Sequence, residues 1–141
     1  MIRLWLAVSI LVLALSASPL LAQPPSIGGG LVDEVGVWRP VQRSFADATI
    51  LGDTEIVAAQ GAGVRIRVLG IHCQSLLAVT LKLKSAGANI ISAAFAVGAA
   101  GSLSMSYNPH GWFQTNANEA LNLNQSAAVN TGCQVVWVRA A

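Results

Sequence analysis

Two cysteines, Cys73 and Cys133, and two histidines, His72 and His110, are the residues of this 141-residue chain best suited to redox, metal or nucleophilic chemistry. A zinc site drawn from these four meets an obstacle in the spacing: His72 and Cys73 are adjacent on an expected strand, so their side chains point to opposite faces. Nucleophilic catalysis needs a base beside the nucleophile and a third group that orients the base. His110 falls in the turn Asn108-Pro109-His110-Gly111, and neither histidine has an acid nearby in sequence. Asp53 and Glu55 flank Thr54 and share a strand face, a spacing open to paired carboxylates that reads first as an exposed strand edge. Gly61-Ala62-Gly63 leads into a strand and not a helix, so it is a turn and not a phosphate cradle. Asn124-Gln125-Ser126 fits the N-glycosylation pattern, a frequent chance match. Arg65, Arg67, Lys82 and Lys84 alternate with apolar residues without interleaved aromatics, as solvated strand faces do and polyanion sites do not. The chain is therefore expected to be no enzyme, with no catalytic, cofactor or metal residues, and to bind no nucleic acid.

The cysteines have a second use. Cys73 closes an expected strand, Val64–Cys73, and Cys133 opens the last one, Cys133–Arg139. Antiparallel neighbours would bring the two together, so a disulfide is the leading expectation, with two free buried thiols and a metal site as alternatives. Tyr107, Pro109, Trp112 and Phe113 form the most distinctive local cluster, read either as a packed corner of the fold or as a ligand platform.

The elements that must position these residues are short. Residues 1–22 begin with Arg3 as their one charge, continue through a long apolar run and leave through small residues, the pattern of a signal peptide; an uncleaved membrane anchor is the other reading. Residues 23–46, with Pro24, Pro25 and Gly28-Gly29-Gly30, read as a Gly/Pro-rich linker with one edge strand around Val35–Trp38. From residue 47 to 141 apolar residues recur with period two. Val64, Ile66 and Val68 alternate with Arg65, Arg67 and Leu69, and Gly70 marks a bulge where the register changes. Val79, Leu81 and Leu83 alternate more cleanly. Further strands are expected at Thr54–Ala58, Asn89–Val97, Ser102–Ser106, Trp112–Thr115 and Ala120–Asn124, with Gly, Asn and Ser in the gaps. About eight short strands at this spacing predict an all-β domain, a single antiparallel β-sandwich or jelly roll following an N-terminal hydrophobic signal helix. Length allows one domain. Net charge is only +2 and charged residues only 10%, so small polar and apolar residues must cover much of the surface, which suits subunit contacts.

The run Tyr107-Asn108-Pro109-His110-Gly111-Trp112-Phe113-Gln114-Thr115, followed by Asn118–Leu123, Ser126–Val129 and the closing Val135–Val138, resembles small β-domains of tailed-bacteriophage virion structural proteins. Thr54–Ala59 and Arg65–Leu69 fit the opening of the same pattern, and the resemblance covers about residues 47–139. It implies a non-enzymatic decoration or fibre-associated module that works as a homo-oligomer, with a trimer favoured and capsid or tail proteins as partners. The leader and the cysteine pair depart from that pattern. They point to an exported protein, periplasmic or extracellular, or to a virion protein that meets a membrane only through an uncleaved leader. The contrasting expectation is a secreted binding domain with one disulfide.

Overall fold

Alternation is strictest in Val79–Ser85, where Val79, Leu81, Leu83 and Ser85 are buried and the residues between them are half-buried. A strand with one apolar face must lay that face on another sheet. The computed structural model describes residues 30–32 and 38–141, so the expected signal peptide lies outside the described residues, as does most of the expected Val35–Trp38 strand. The described residues form β1 (Gly30–Val32), β2 (Trp38–Pro40), β3 (Gln42–Ala48), β4 (Gly52–Val57), β5 (Arg65–Ser75), β6 (Val79–Ser85), β7 (Asn89–Ile90), β8 (Phe95–Val97), β9 (Ser102–Met105), β10 (Phe113–Gln114), β11 (Leu121–Gln125) and β12 (Thr131–Ala140), with no helix among them.

Every pairing is antiparallel. In the first sheet β12 lies between β3 and β5, and the far edge of β5 is shared by β9 and β10. In the second, β11 lies between β4 and β6, and the far edge of β6 is shared by β7 and β8. The two sheets pack together in a sandwich-like arrangement over one core, to which Ile66, Val68, Ile71, Val135 and Trp137 come from the first and Leu81, Leu83, Leu121 and Leu123 from the second. β1 and β2 form a separate hairpin, where a Cβ on Gly30 would run into the Trp38 indole.

The bulge falls beside Gly70. Val136 pairs with Gly70 but Trp137 with Val68, which leaves Leu69 as the extra residue and keeps Ile66, Val68, Ile71 and Cys73 all on the core side.

Three expectations are corrected. β3 pairs with β12 along Gln42–Trp137 to Ala48–Thr131, so the sheet takes in residues that composition assigns to the 23–46 linker. Its core side is built from Gln42, Ser44, Ala46 and Ala48, which leave no apolar alternation to read. Asn89–Val97 is not one strand but β7 and β8, separated where the Ser92 hydroxyl accepts a hydrogen bond from the Leu83 amide at 2.8 Å in place of a ladder bond. Trp112 is not a core corner: it is 46% exposed, and the buried indole is Trp137, which donates to the Ser44 hydroxyl at 3.0 Å.

Candidate functional site

Cys73 and Cys133 sit directly opposite each other on β5 and β12, with Cα atoms 4.1 Å apart, and form a disulfide. That separation is close to the spacing of a non-hydrogen-bonded antiparallel pair. Neither sulfur remains as a thiol, and no group of three or more His, Cys, Asp or Glu is placed to hold a metal among the described residues. The histidines are not brought into one cluster: His72 lies on β5 in the row of Gln134 and Ser104, whereas His110 is exposed in the turn before β10.

Asp53 and Glu55 do not work as a carboxylate pair. Lys84 Nζ lies 2.8 Å from Asp53, and Asn124 Nδ2 donates to the same carboxylate at 2.6 Å. Desolvation pushes the Asp53 carboxyl up, but the hydrogen bonds from Lys84 and Asn124 and the charge of Lys84 outweigh it, so it titrates below its ordinary 3.8. Glu119 accepts from the buried Ser85 hydroxyl and from Asn116 Nδ2, and the Asn116 amide donates to Ser85 Oγ. The Ser85 hydrogen bond is the main force that lowers the Glu119 carboxyl, against desolvation and with help from Asn116 and Asn89. With no histidine in this cluster and its serine fully buried, it clamps the loop before β11 to the end of β6. The four basic residues also part company: Arg65 and Arg67 lie on the first sheet, Lys82 and Lys84 on the second, and each pair alternates with core residues of its own sheet.

The aromatic cluster divides in the same way. Phe113 packs on the core and meets Phe95 edge-on at 6.5 Å between ring centroids. Trp112 donates its indole N–H to the Ser106 carbonyl at 2.8 Å, and Asn108 closes the turn by accepting from the His110 amide and donating to the Gly111 carbonyl. Tyr107 and Pro109 are exposed on that turn. These contacts fix the loop, on which Tyr107 and Trp112 are both exposed.

Two surfaces stand out that sequence reasoning missed. On the face of the first sheet away from the core is an open groove of about 810 Å³, lined among others by Phe45, Asp47, His72, Gln74, Gly132 and Gln134. Two rows cross it: Asp47, Gly132, Gln74 and Ser102, then Phe45, Gln134, His72 and Ser104. Gly132 projects no side chain between Asp47 and Gln74, and the Asp47 carboxylate leans over it. The second surface is one end of the sandwich, where the loops 49–51, 76–78, 98–101 and 126–130 meet. Gln125 Nε2 donates to the carbonyls of Ile50 (2.7 Å) and Val129 (3.0 Å), Leu76 N to Asn130 O, and Ala100 N to Leu76 O. These four loops contain no charged residue, and Ile50, Leu51, Leu76 and Leu77 are all exposed on them. No family model, curated protein or solved structure matches the chain.

Proposed function

We propose that the chain is a non-enzymatic assembly module that associates with further copies of itself through the charge-free apolar end, as the resemblance to virion structural proteins implies. The observation that carries this reading is the exposure of Ile50, Leu51, Leu76 and Leu77 on adjoining loops without a charge among them. Soluble monomers seldom leave large aliphatic side chains clustered in water, and a contiguous patch of them marks a contact surface. A trimer is the expected closed form, and capsid or tail proteins are the larger partners. The Cys73–Cys133 bond and the apolar run of residues 1–22 support export to an oxidising compartment. The groove on the first sheet favours the contrasting reading of a secreted binding domain.

Light scattering on a sizing column, applied to the full chain produced with its disulfide formed, tests the proposal. The expected result is a closed oligomer that Ile50→Asp and Leu77→Asp each reduce to monomer, since a desolvated carboxylate opposes the contact. A wild-type monomer, or an oligomer indifferent to both substitutions, would overturn it.

A further inference from the structure

We infer that the outer face of the first sheet binds a neutral saccharide chain, in the groove between Phe45 and His72. On the second sheet, Lys84, Asp53 and Asn124 satisfy one another, while Asn122 Oδ1 is buried without a hydrogen-bond partner. On the first, the side chains of Asp47, His72, Gln74 and Gln134 have no hydrogen-bond partner in the protein among the described residues, and all four line one groove. Two amides and an imidazole each offer donors and acceptors, and Asp47 adds an acceptor, the mixture that ring hydroxyls require.

Phe45 supplies the complement. Its ring is 72% exposed at the β3 side of the groove, in the row of Gln134 and His72. An aromatic face in that position takes the C–H face of a pyranose while the amides address its rim. Strands repeat at about 4.8 Å across the sheet, close to the length of one sugar ring, so successive residues of a chain crossing β3, β12 and β5 meet successive side chains of a row. In the row beside it, Gly132 projects no side chain, and the Asp47 carboxylate reaches in over it, within 3.3 Å of where a Cβ would stand.

Other ligand classes fit less well. Asp47 is the one charged residue lining the groove, which disfavours anions. β12 is bonded to β3 on one side and β5 on the other, so an extended peptide finds no free ladder groups at the groove floor. The floor is also rigid, because Cys73 and Cys133 are joined beneath it, between the two outward rows. A preorganised floor reduces the cost of ordering on binding. The groove borders the apolar end through Thr49, Leu76 and Asn130, but Phe45, Gln134 and His72 lie outside those loops.

The test is a titration of the full, oxidised chain with neutral hexasaccharides of β1,4- and α1,4-linked glucose, N-acetylglucosamine, mannose and galactose, followed by amide NMR shifts and calorimetry. At least one sugar is expected to bind saturably and to move the signals of Gln134 and His72. Phe45→Ala should weaken that binding about tenfold or more. Gln134→Ala should weaken it severalfold, and Ile90→Ser, which removes another exposed apolar side chain from the other sheet, should leave it unchanged. The inference falls if no sugar binds at millimolar concentration, or if binding survives both Phe45→Ala and Gln134→Ala. It falls equally if Phe45→Ala changes the mass of the particle and not its affinity for sugar.

Discussion

Trp112 and Trp137 carry the same side chain in opposite surroundings, and their substitution separates burial from residue type. Trp137 is buried in the core with its indole N–H donated to Ser44, so Trp137→Ala removes a large core volume and should cost roughly 3–5 kcal/mol. Trp112 is half in solvent and gives up one hydrogen bond to Ser106, so Trp112→Ala should cost about 1 kcal/mol. Urea unfolding of the two variants decides the order; equal losses would mean that the 106–112 loop is part of the cooperative core. Asp53 carries the pH dependence at this scale. Its carboxyl titrates lower in the folded protein than in the unfolded chain, so the contribution of the Asp53–Lys84 pair is fully present above the unfolded value and is lost as pH falls through the folded one. The pair is partly solvated, so the loss should be about 1 kcal/mol or less. Asp53→Asn should flatten, but not abolish, the acid limb below the ordinary carboxylate range, because Glu119 is lowered in the same sense and remains. Urea midpoints that fall as steeply in the variant as in the wild type would exclude Asp53 from that limb.

Among the elements, the disulfide has the largest single effect. It joins residues 60 apart, and closing so long a loop in the unfolded chain is worth about 4 kcal/mol. A Cys73→Ala/Cys133→Ala variant should therefore unfold at much lower urea concentration while keeping its strand content, as circular dichroism would show; an unchanged midpoint would refute the stabilising role. The position of this bond could be read from the sequence because both cysteines lie in strands with strong apolar alternation. β6 and β11 were legible for the same reason: Leu81, Leu83, Leu121 and Leu123 are large, buried and two apart. The Leu69–Gly70 bulge was legible because the polarity pattern changes phase there. β3 was not, since its core side is Gln, Ser and Ala and its one large apolar residue, Phe45, points to solvent. The groove was hidden for a related reason. Asp47, His72 and Gln134 come from three strands, and only the register set on folding places them in neighbouring rows. Taken singly, each is an ordinary exposed polar residue.

At the scale of the whole molecule, the boundary of the folding unit follows from what covers β12. Val138 and Ala140 lie beyond the bulge and are buried, although Val138 pairs with Arg67 on the side away from the core. Leu31 and Arg39 of the hairpin stand over them together with Pro109. A chain beginning at Gln42 loses that cover but keeps β3, so it should fold with a loss of about 1–3 kcal/mol for the exposed apolar surface. A chain beginning at Thr49 loses β3 itself. The edge of β12 would then present unpaired amides and carbonyls along Thr131–Trp137, beside Val135 and Trp137, which β3 now flanks. Such a long, flat, apolar edge recruits other chains. Urea unfolding should therefore rank the chain from Gly30 above the chain from Gln42, and sizing chromatography should find the chain from Thr49 aggregated. If the chain from Thr49 were as stable and monodisperse as the one from Gln42, β3 would be an appendage of the sandwich and the unit would begin at residue 47, where the periodicity first becomes visible in the sequence.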